Sequence, residues 1–320
     1  MKAIRVHQFG EPEVMQLEEV ALPSPVGNQI LIDIKAIGVN PVDTYIRDGI
    51  YPVKPNLPYT PGLDAAGVIA AVGPEVKHRK VDERVYCFGS DTGCYAEQTL
   101  CKETQVYPLP DNVDYKAGAA LGVPYTTAYF ALFYRAHTMP GETILIHGAS
   151  GAVGLAALQL AKANGIRAIG TAGTPEGLHL IKQQGAVVAL DHTKSDYLSA
   201  LEDLTCGQGV NVVLEMLANI NLQKDLETLA MFGRVVVIGN RGTIEIDPRA
   251  AMGRNASIMG MSLFNTTEKQ FHSIHAALSA GLTNGSLNPV ISTEISLADA
   301  AQAHIAVLKP GAMGKIVLLL

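Results

Sequence analysis

At 320 residues, with 48% hydrophobic and 17% charged residues, the chain is long enough for two cores and too apolar to be disordered. A net charge of −6, with Lys and Arg scattered, leaves no basic footprint for duplex nucleic acid. No run of about 18 apolar residues is present to span a bilayer, the charged first residues lack a signal-peptide core, and four cysteines are too few for a disulfide framework; a cytoplasmic protein with reduced thiols is expected.

Up to residue 123, alternating stretches such as 30–35 (Ile-Leu-Ile-Asp-Ile-Lys) stand among Pro23, Pro25, Pro41, Pro52, Pro55, Pro58 and Pro61, which predicts β-structure with long loops. After Pro124 the rhythm becomes βα. A strand at 143–147 leads into a helix at 153–164, and apolar strands are predicted at 167–171, 187–190, 211–215, 234–238 and 257–261. Six such strands fit a doubly wound parallel sheet with helices on both faces. A helix is expected from Glu268, and residues 315–320 read as a strand that rejoins the first domain.

The strongest local signal is His147-Gly148-Ala149-Ser150-Gly151-Ala152-Val153-Gly154, which follows a strand and opens a helix. Glycines there let the backbone approach a pyrophosphate, whose charge is met by N–H groups at the positive helix end. Gly151 and Gly154 hold the second and third glycine positions of GxGxxG, and Ala149 holds the first, so the motif is a variant. The expected fold class is α/β, with a Rossmann dinucleotide-binding domain over 124–267 and a second domain from 1–123 and 268–320.

In NAD-binding domains a carboxylate about 20 positions after the glycines accepts hydrogen bonds from the ribose hydroxyls. Here that corner reads Ile169-Gly170-Thr171-Ala172-Gly173-Thr174-Pro175, with Glu176 close behind. Small residues leave room for a 2′-phosphate, so NADP is favoured. Gly173 offers a backbone N–H, and His192, after the third strand, is either a proton donor to that phosphate or an ordinary surface histidine. The loop Gly239-Asn240-Arg241-Gly242 lies beyond a strand's carboxyl end, where ligands of such sheets bind, and makes Arg241 a candidate phosphate or ribose contact. Segments 215–219 and 261–264 follow strands at the same edge.

Residues 38–47 (Gly-Val-Asn-Pro-Val-Asp-Thr-Tyr-Ile-Arg), Tyr59-Thr60-Pro61-Gly62, Gly67-Val68-Ile69, Val72-Gly73 and the His147 glycine segment together resemble zeta-crystallin-type quinone oxidoreductases. The likeness continues through Thr171-Ala172-Gly173-Thr174, residues 215–219, 242–246 and 314–320. It implies a GroES-like, mainly-β first domain, NADPH as cofactor, and ortho-quinones or similar electrophiles as acceptors. It also implies that Tyr45, Ser150, Gly151, Ala152, Val153, Gly173, His192, Asn221, Ile238, Gly239, Asn240, Arg241, Met261, Ser262 and Leu263 line the cofactor. Tyr45 and Asn40 would face its nicotinamide end.

Zinc alcohol dehydrogenases of the same superfamily hold their catalytic metal with a cysteine where this chain has Asn40 and a histidine where Gly62-Leu63-Asp64 has Leu63. Cys87, Cys94 and Cys101 lack the CxxC spacing of a structural zinc site. No metal is expected. Without a Lewis acid, the acceptor must itself spread the developing charge, as quinones and activated alkenes do. Tyr45 and Tyr51 are candidates for hydrogen bonding to, or stacking on, a quinone, and Tyr125 and Thr127 are further candidates.

The nearest alternative is a 2-alkenal or enoyl reductase on the same scaffold. Another class is a single-stranded RNA-binding or structural protein, because some zeta-crystallins bind AU-rich RNA or accumulate in lens. Members of the family are commonly homodimers or homotetramers.

Overall fold

The computed structural model describes every residue except Val53. Two compact units divide the chain: Met1–Pro124 with His275–Leu320, and Tyr125–Ile274.

Numbered along the chain, β1 (Lys2–Val6) and β2 (Met15–Glu19) form an antiparallel pair. They are followed by β3 (Gln29–Gly38), α1 (Pro41–Arg47), β4 (Asp64–Val72), β5 (Arg84–Phe88), β6 (Gln98–Lys102) and β7 (Val106–Pro108). Next come α2 (Tyr115–Ala119) and α3 (Gly122–Tyr129), within which the chain leaves the first unit.

The second unit contains β8 (Thr143–Ile146), α4 (Ala152–Ala163), β9 (Arg167–Ala172), α5 (Pro175–Gln183) and β10 (Val188–Asp191). It goes on with α6 (Ala200–Leu204), β11 (Val210–Glu215), α7 (Ala218–Thr228), β12 (Leu229–Val237), α8 (Pro248–Met252) and β13 (Ser257–Gly260). The chain returns to the first unit within α9 (Glu268–Thr283), then forms β14 (Ile291–Ser296), α10 (Ala300–Val307) and β15 (Lys315–Leu319).

In the first unit β3 organises a seven-stranded sheet. It pairs antiparallel with β4, β6 and β15, while β15 runs parallel to β14. Period-two alternation explains its burial: Ile30, Ile32 and Ile34 are all at most 1% exposed, and each such side chain stabilises the core by about 1.5–3 kcal/mol. The tail does rejoin this sheet, through Val317 opposite Gly38 and Leu318 opposite Ile37. Sequence reasoning missed β14, an edge strand with most side chains exposed, because it has no continuous apolar face to read.

The second unit carries six parallel strands in the order β10-β9-β8-β11-β12-β13. Chain order reverses between β8 and β11, the point at which such sheets open a crevice beyond their carboxyl ends. Ile144, Leu145 and Ile146 are all fully buried, as expected of a strand covered on both faces. The expected strands sit where they were read, with small shifts. Val187, Ile238 and Met261 lie just outside β10, β12 and β13, while β12 begins earlier, at Leu229. That early start is an irregular stretch in which Phe232 takes a left-handed φ of 62° and the pairing with β11 shifts register. Among the described residues, no helix is long and apolar enough to cross a membrane.

Candidate functional site

The glycine segment forms a sharp turn between β8 and α4. Its left-handed residue is Gly148, at φ +55°, so the alanine at position 149 needs no positive φ and fits the motif without strain. Ala149 is fully buried, its N–H donating to Thr171 O at 2.8 Å, and Gly148 N donates to Thr171 Oγ1 at 3.1 Å. A Cβ on Gly154 would lie 2.5 Å from Ala149 Cα, so only glycine lets the helix approach this turn. Gly151 is the N-cap of α4 and supplies no side-chain cap. The first-turn N–H groups of this 12-residue helix therefore receive no side-chain cap, and a helix end of this kind suits an anion. Ser150 is buried beside them, whereas Ala152 and Val153 are partly exposed.

Gly173 follows β9 and His192 follows β10. A Cβ on Gly173 would stand 2.7 Å from His192 Nε2, so the two residues share one corner. Burial holds His192 below the usual histidine range, with His147 adding to the effect and Asp191 opposing it. Of the nearby carboxylates, Asp191 Oδ1 accepts from Thr193 N at 3.0 Å and from Thr193 Oγ1 at 2.7 Å, and Glu176 is exposed in the first turn of α5.

Two further loops meet at Glu215, the last residue of β11, and a third, after β13, is tied to the end of β12. Its backbone oxygen accepts from Ile238 N at 2.9 Å and Gly239 N at 3.2 Å, while Ala218 N donates to Gly239 O at 3.0 Å. Gly239 packs against backbone, since a Cβ there would be 2.2 Å from Met216 O. The Glu215 side chain, fully buried, accepts through Oε1 from Asn221 Nδ2 at 3.3 Å and closely from Leu217 N. Arg241 N donates to Asn219 Oδ1 at 2.9 Å, Asn240 Nδ2 to Gly242 O at 2.6 Å, and Met261 N to Val237 O at 3.3 Å. Ser262 and Leu263 continue that last loop, with Leu263 buried.

Behind these loops His147 Nε2 lies 2.7 Å from Asp225 Oδ1 and 3.5 Å from Glu215 Oε2. Burial pushes both Glu215 and Asp225 up to about 7, and it lowers His147 against the pull of Glu215. Among the described residues this is the one cluster whose ligand atoms could converge on an ion. Sequence reasoning missed it. The available signal was a carboxylate closing an otherwise apolar strand.

In the first unit, Asn40 caps α1 and is 2% exposed. Its Nδ2 donates to Asp64 Oδ2 at 3.0 Å, and its Oδ1 accepts from Lys315 Nζ at 2.5 Å. Lys315 Nζ also donates to Asp64 Oδ2 at 2.9 Å. Burial raises Asp64 above the usual carboxylate range, an effect that Lys315 opposes, and burial with the neighbouring Asp64 charge raises Asp43 to about 7. At the two positions where zinc relatives place ligands, this chain thus has an amide already bonded to an ammonium group and the side chain of Leu63, which is no donor set for zinc. Tyr45 is partly exposed on α1, as is Tyr51 beyond it. Thr127 is buried in α3, and Tyr125 is buried there with its hydroxyl donating to Gln159 Oε1 at 2.7 Å. Cys87, Cys94 and Cys101 are buried free thiols, with Cys87 Sγ 3.8 Å from Cys94 Sγ, and Cys206 is an exposed one.

The family described as "Alcohol dehydrogenase GroES-like domain" matches residues 27–111, and that described as "Zinc-binding dehydrogenase" matches residues 152–280. A quinone oxidoreductase of Rattus norvegicus is 48% identical over 322 residues, covering 100% of this chain and 98% of the relative. The human quinone oxidoreductase shows the same identity and coverage, 48% over 322 residues with 100% and 98% covered. The solved structure of Escherichia coli quinone oxidoreductase complexed with NADPH is 30% identical, has a TM-score of 0.89, and matches over 100% of both chains.

Proposed function

We propose a function from one premise: this chain belongs to the quinone oxidoreductase family, the zeta-crystallin-like, zinc-independent branch of the medium-chain dehydrogenase/reductase superfamily. It is an enzyme that uses NADPH to reduce quinones of the ortho-quinone type without a metal ion. The observation that carries this reading is that candidate contacts follow the carboxyl ends of all six parallel strands, around an uncapped glycine turn and a corner without a committed carboxylate.

The first-turn amides over Ser150, Gly151, Ala152, Val153 and Gly154 suit a pyrophosphate. Gly173, His192 and Arg241 suit a 2′-phosphate. Asn221, Ile238, Gly239, Asn240, Met261, Ser262 and Leu263 stand on the tied loops and line the rest of the dinucleotide, and Tyr45 is a further candidate contact. Bound there, NADPH supplies a hydride equivalent. The protein aligns the acceptor and donates hydrogen bonds to it, tasks assigned to Tyr45 and Tyr51, with Asn40 and Thr127 as further candidates. A quinone spreads the added charge over its own conjugated system, which fits a chain whose residues offer no Lewis acid at this position.

Steady-state assays with NADPH test the reading. Turnover of an ortho-quinone, unaffected by a chelator, is the expected result. Turnover of 2-alkenals with none of quinones would transfer the assignment to an alkenal or enoyl reductase. A carboxylate placed at the phosphate corner gives a second test. Gly173→Asp should cut kcat/KM for NADPH by about 100-fold while leaving NADH less affected, since like charges brought together cost several kcal/mol. Equal losses with both cofactors would remove Gly173 from the phosphate site.

The physiological form we propose is a cytoplasmic homodimer or homotetramer. β13 is the edge strand of its sheet, and its exposed Ser257, Ile258 and Gly260 leave a ladder for a second subunit. The formal charge of −6 weighs against the RNA-binding alternative.

A further inference from the structure

Glu215 is joined to each of the loops that follow β8, β11 and β12. It meets His147 at the start of the glycine turn, accepts from Leu217 and Asn221 in its own loop, and receives Ile238 N and Gly239 N through its backbone oxygen. His147 and Asp225 complete the group, and all three side chains are at most 5% exposed. Glu215 Oε2 and Asp225 Oδ2 have no hydrogen-bond partner assigned, although both are buried. Two buried carboxyls that bring oxygens within 4.8 Å of one another cannot both ionise cheaply, so a proton held between them lowers the cost.

We infer that His147, Glu215 and Asp225 form a proton-sharing triad that holds the glycine turn and the 216–221 loop in register for the cofactor, so that dinucleotide affinity depends on the shared proton. These are positioning residues, and the consequence for NADPH rests on the function proposed above. The groups facing the triad are few. Tyr197 sits edge-on to His147, its hydroxyl held protonated by burial and by the two carboxyls, with its pKa raised to about 12. His192 stands near enough for its charge to oppose that of His147. Neither supplies a fixed cation, so neutralising the two carboxyls falls to the shared proton and to His147.

The sign follows directly. Burial raises both carboxyls to about 7, well above their ordinary values, so the pair retains a proton in mild acid and gives it up as pH rises. Loss leaves two carboxylates with oxygens within 4.8 Å of one another, and their repulsion pushes the Glu215 side chain away from Leu217 N and Asn221 Nδ2.

The test measures KM and kcat for NADPH against pH, together with amide hydrogen exchange over residues 216–221 in the cofactor-free protein. In the unmodified protein KM should rise by about fivefold or more between about pH 6 and about pH 8.5 with little change in kcat, and loop exchange should quicken over the same range beyond its intrinsic pH dependence. E215Q keeps an acceptor for Leu217 N and replaces the shared proton by an N–H, so its KM and exchange protection should follow no such transition. E215A should raise KM by about tenfold or more at every pH. D225N, which cannot ionise, should also lack the transition. Superimposable profiles for all four proteins, or a chelator that changes the profile of the unmodified protein, would overturn the inference. Should NADPH fail to bind at all, the functional reading falls, and the exchange data still decide whether the triad orders the loop.

Discussion

Replacing Lys315 by methionine is expected to lower stability by about 3–5 kcal/mol, because it strands the Asp64 carboxylate in the core of the first unit. Lys315 and Asp64 are each at most 2% exposed, and the ammonium group also holds the side-chain amide of Asn40, the N-cap residue of α1. Methionine fills the space of the alkyl chain, so the change isolates charge and hydrogen bonding from packing. The loss should depend on pH. Without the lysine, buried Asp64 keeps its proton to a higher pH than in the unfolded chain, where it ionises at about 4. Through that window the unfolded chain has released a proton that the folded chain retains, so stability falls as pH rises. Denaturant unfolding at mildly acidic and mildly alkaline pH checks this: the variant should lose more at alkaline pH. A loss below about 1 kcal/mol, or one independent of pH, would mean that the ammonium group does not sustain Asp64.

Gly154→Ala is the second large effect. The new Cβ would sit 2.5 Å from Ala149 Cα and 2.7 Å from its carbonyl carbon and oxygen, all backbone atoms with no side-chain rotation to relieve them. Helix α4 must then move away from the turn that leads into it, at a cost of about 1–3 kcal/mol. The same shift withdraws the first-turn amides from the turn. Dinucleotide affinity should therefore fall by more than about tenfold, a larger loss than the stability change alone would produce in a protein still fully folded. Calorimetric titration with NADPH, paired with a thermal unfolding curve, separates the two effects. Unchanged affinity in a folded variant would place the pyrophosphate elsewhere.

Much of the second unit was readable from local pattern. Residues 144–146 and 212–214 are apolar without alternation, and glycines stand at 148 and 239, so strand, turn and ligand edge were visible together. The meaning of Ala149 was not. Only the backbone reveals that Gly148 takes the left-handed conformation and frees position 149 from it. Asn40 was recognised as a position where zinc relatives carry a ligand, yet its partner Lys315 is 275 positions away, beyond the reach of any spacing argument. The same holds for His147 and Asp225, 78 positions apart, which β8 and α7 bring within 2.7 Å. Sequence periodicity reports which face is buried, whereas buried polar partners are a matter of tertiary topology.

The central claim is that a dinucleotide with a 2′-phosphate rests against the amino end of α4. Its most direct test is a fluorescence titration of the protein with NADPH and with NADH under identical salt. Saturable binding of NADPH, tighter than that of NADH by about tenfold or more, is the predicted result. Tighter binding of NADH, or binding of neither, would contradict it.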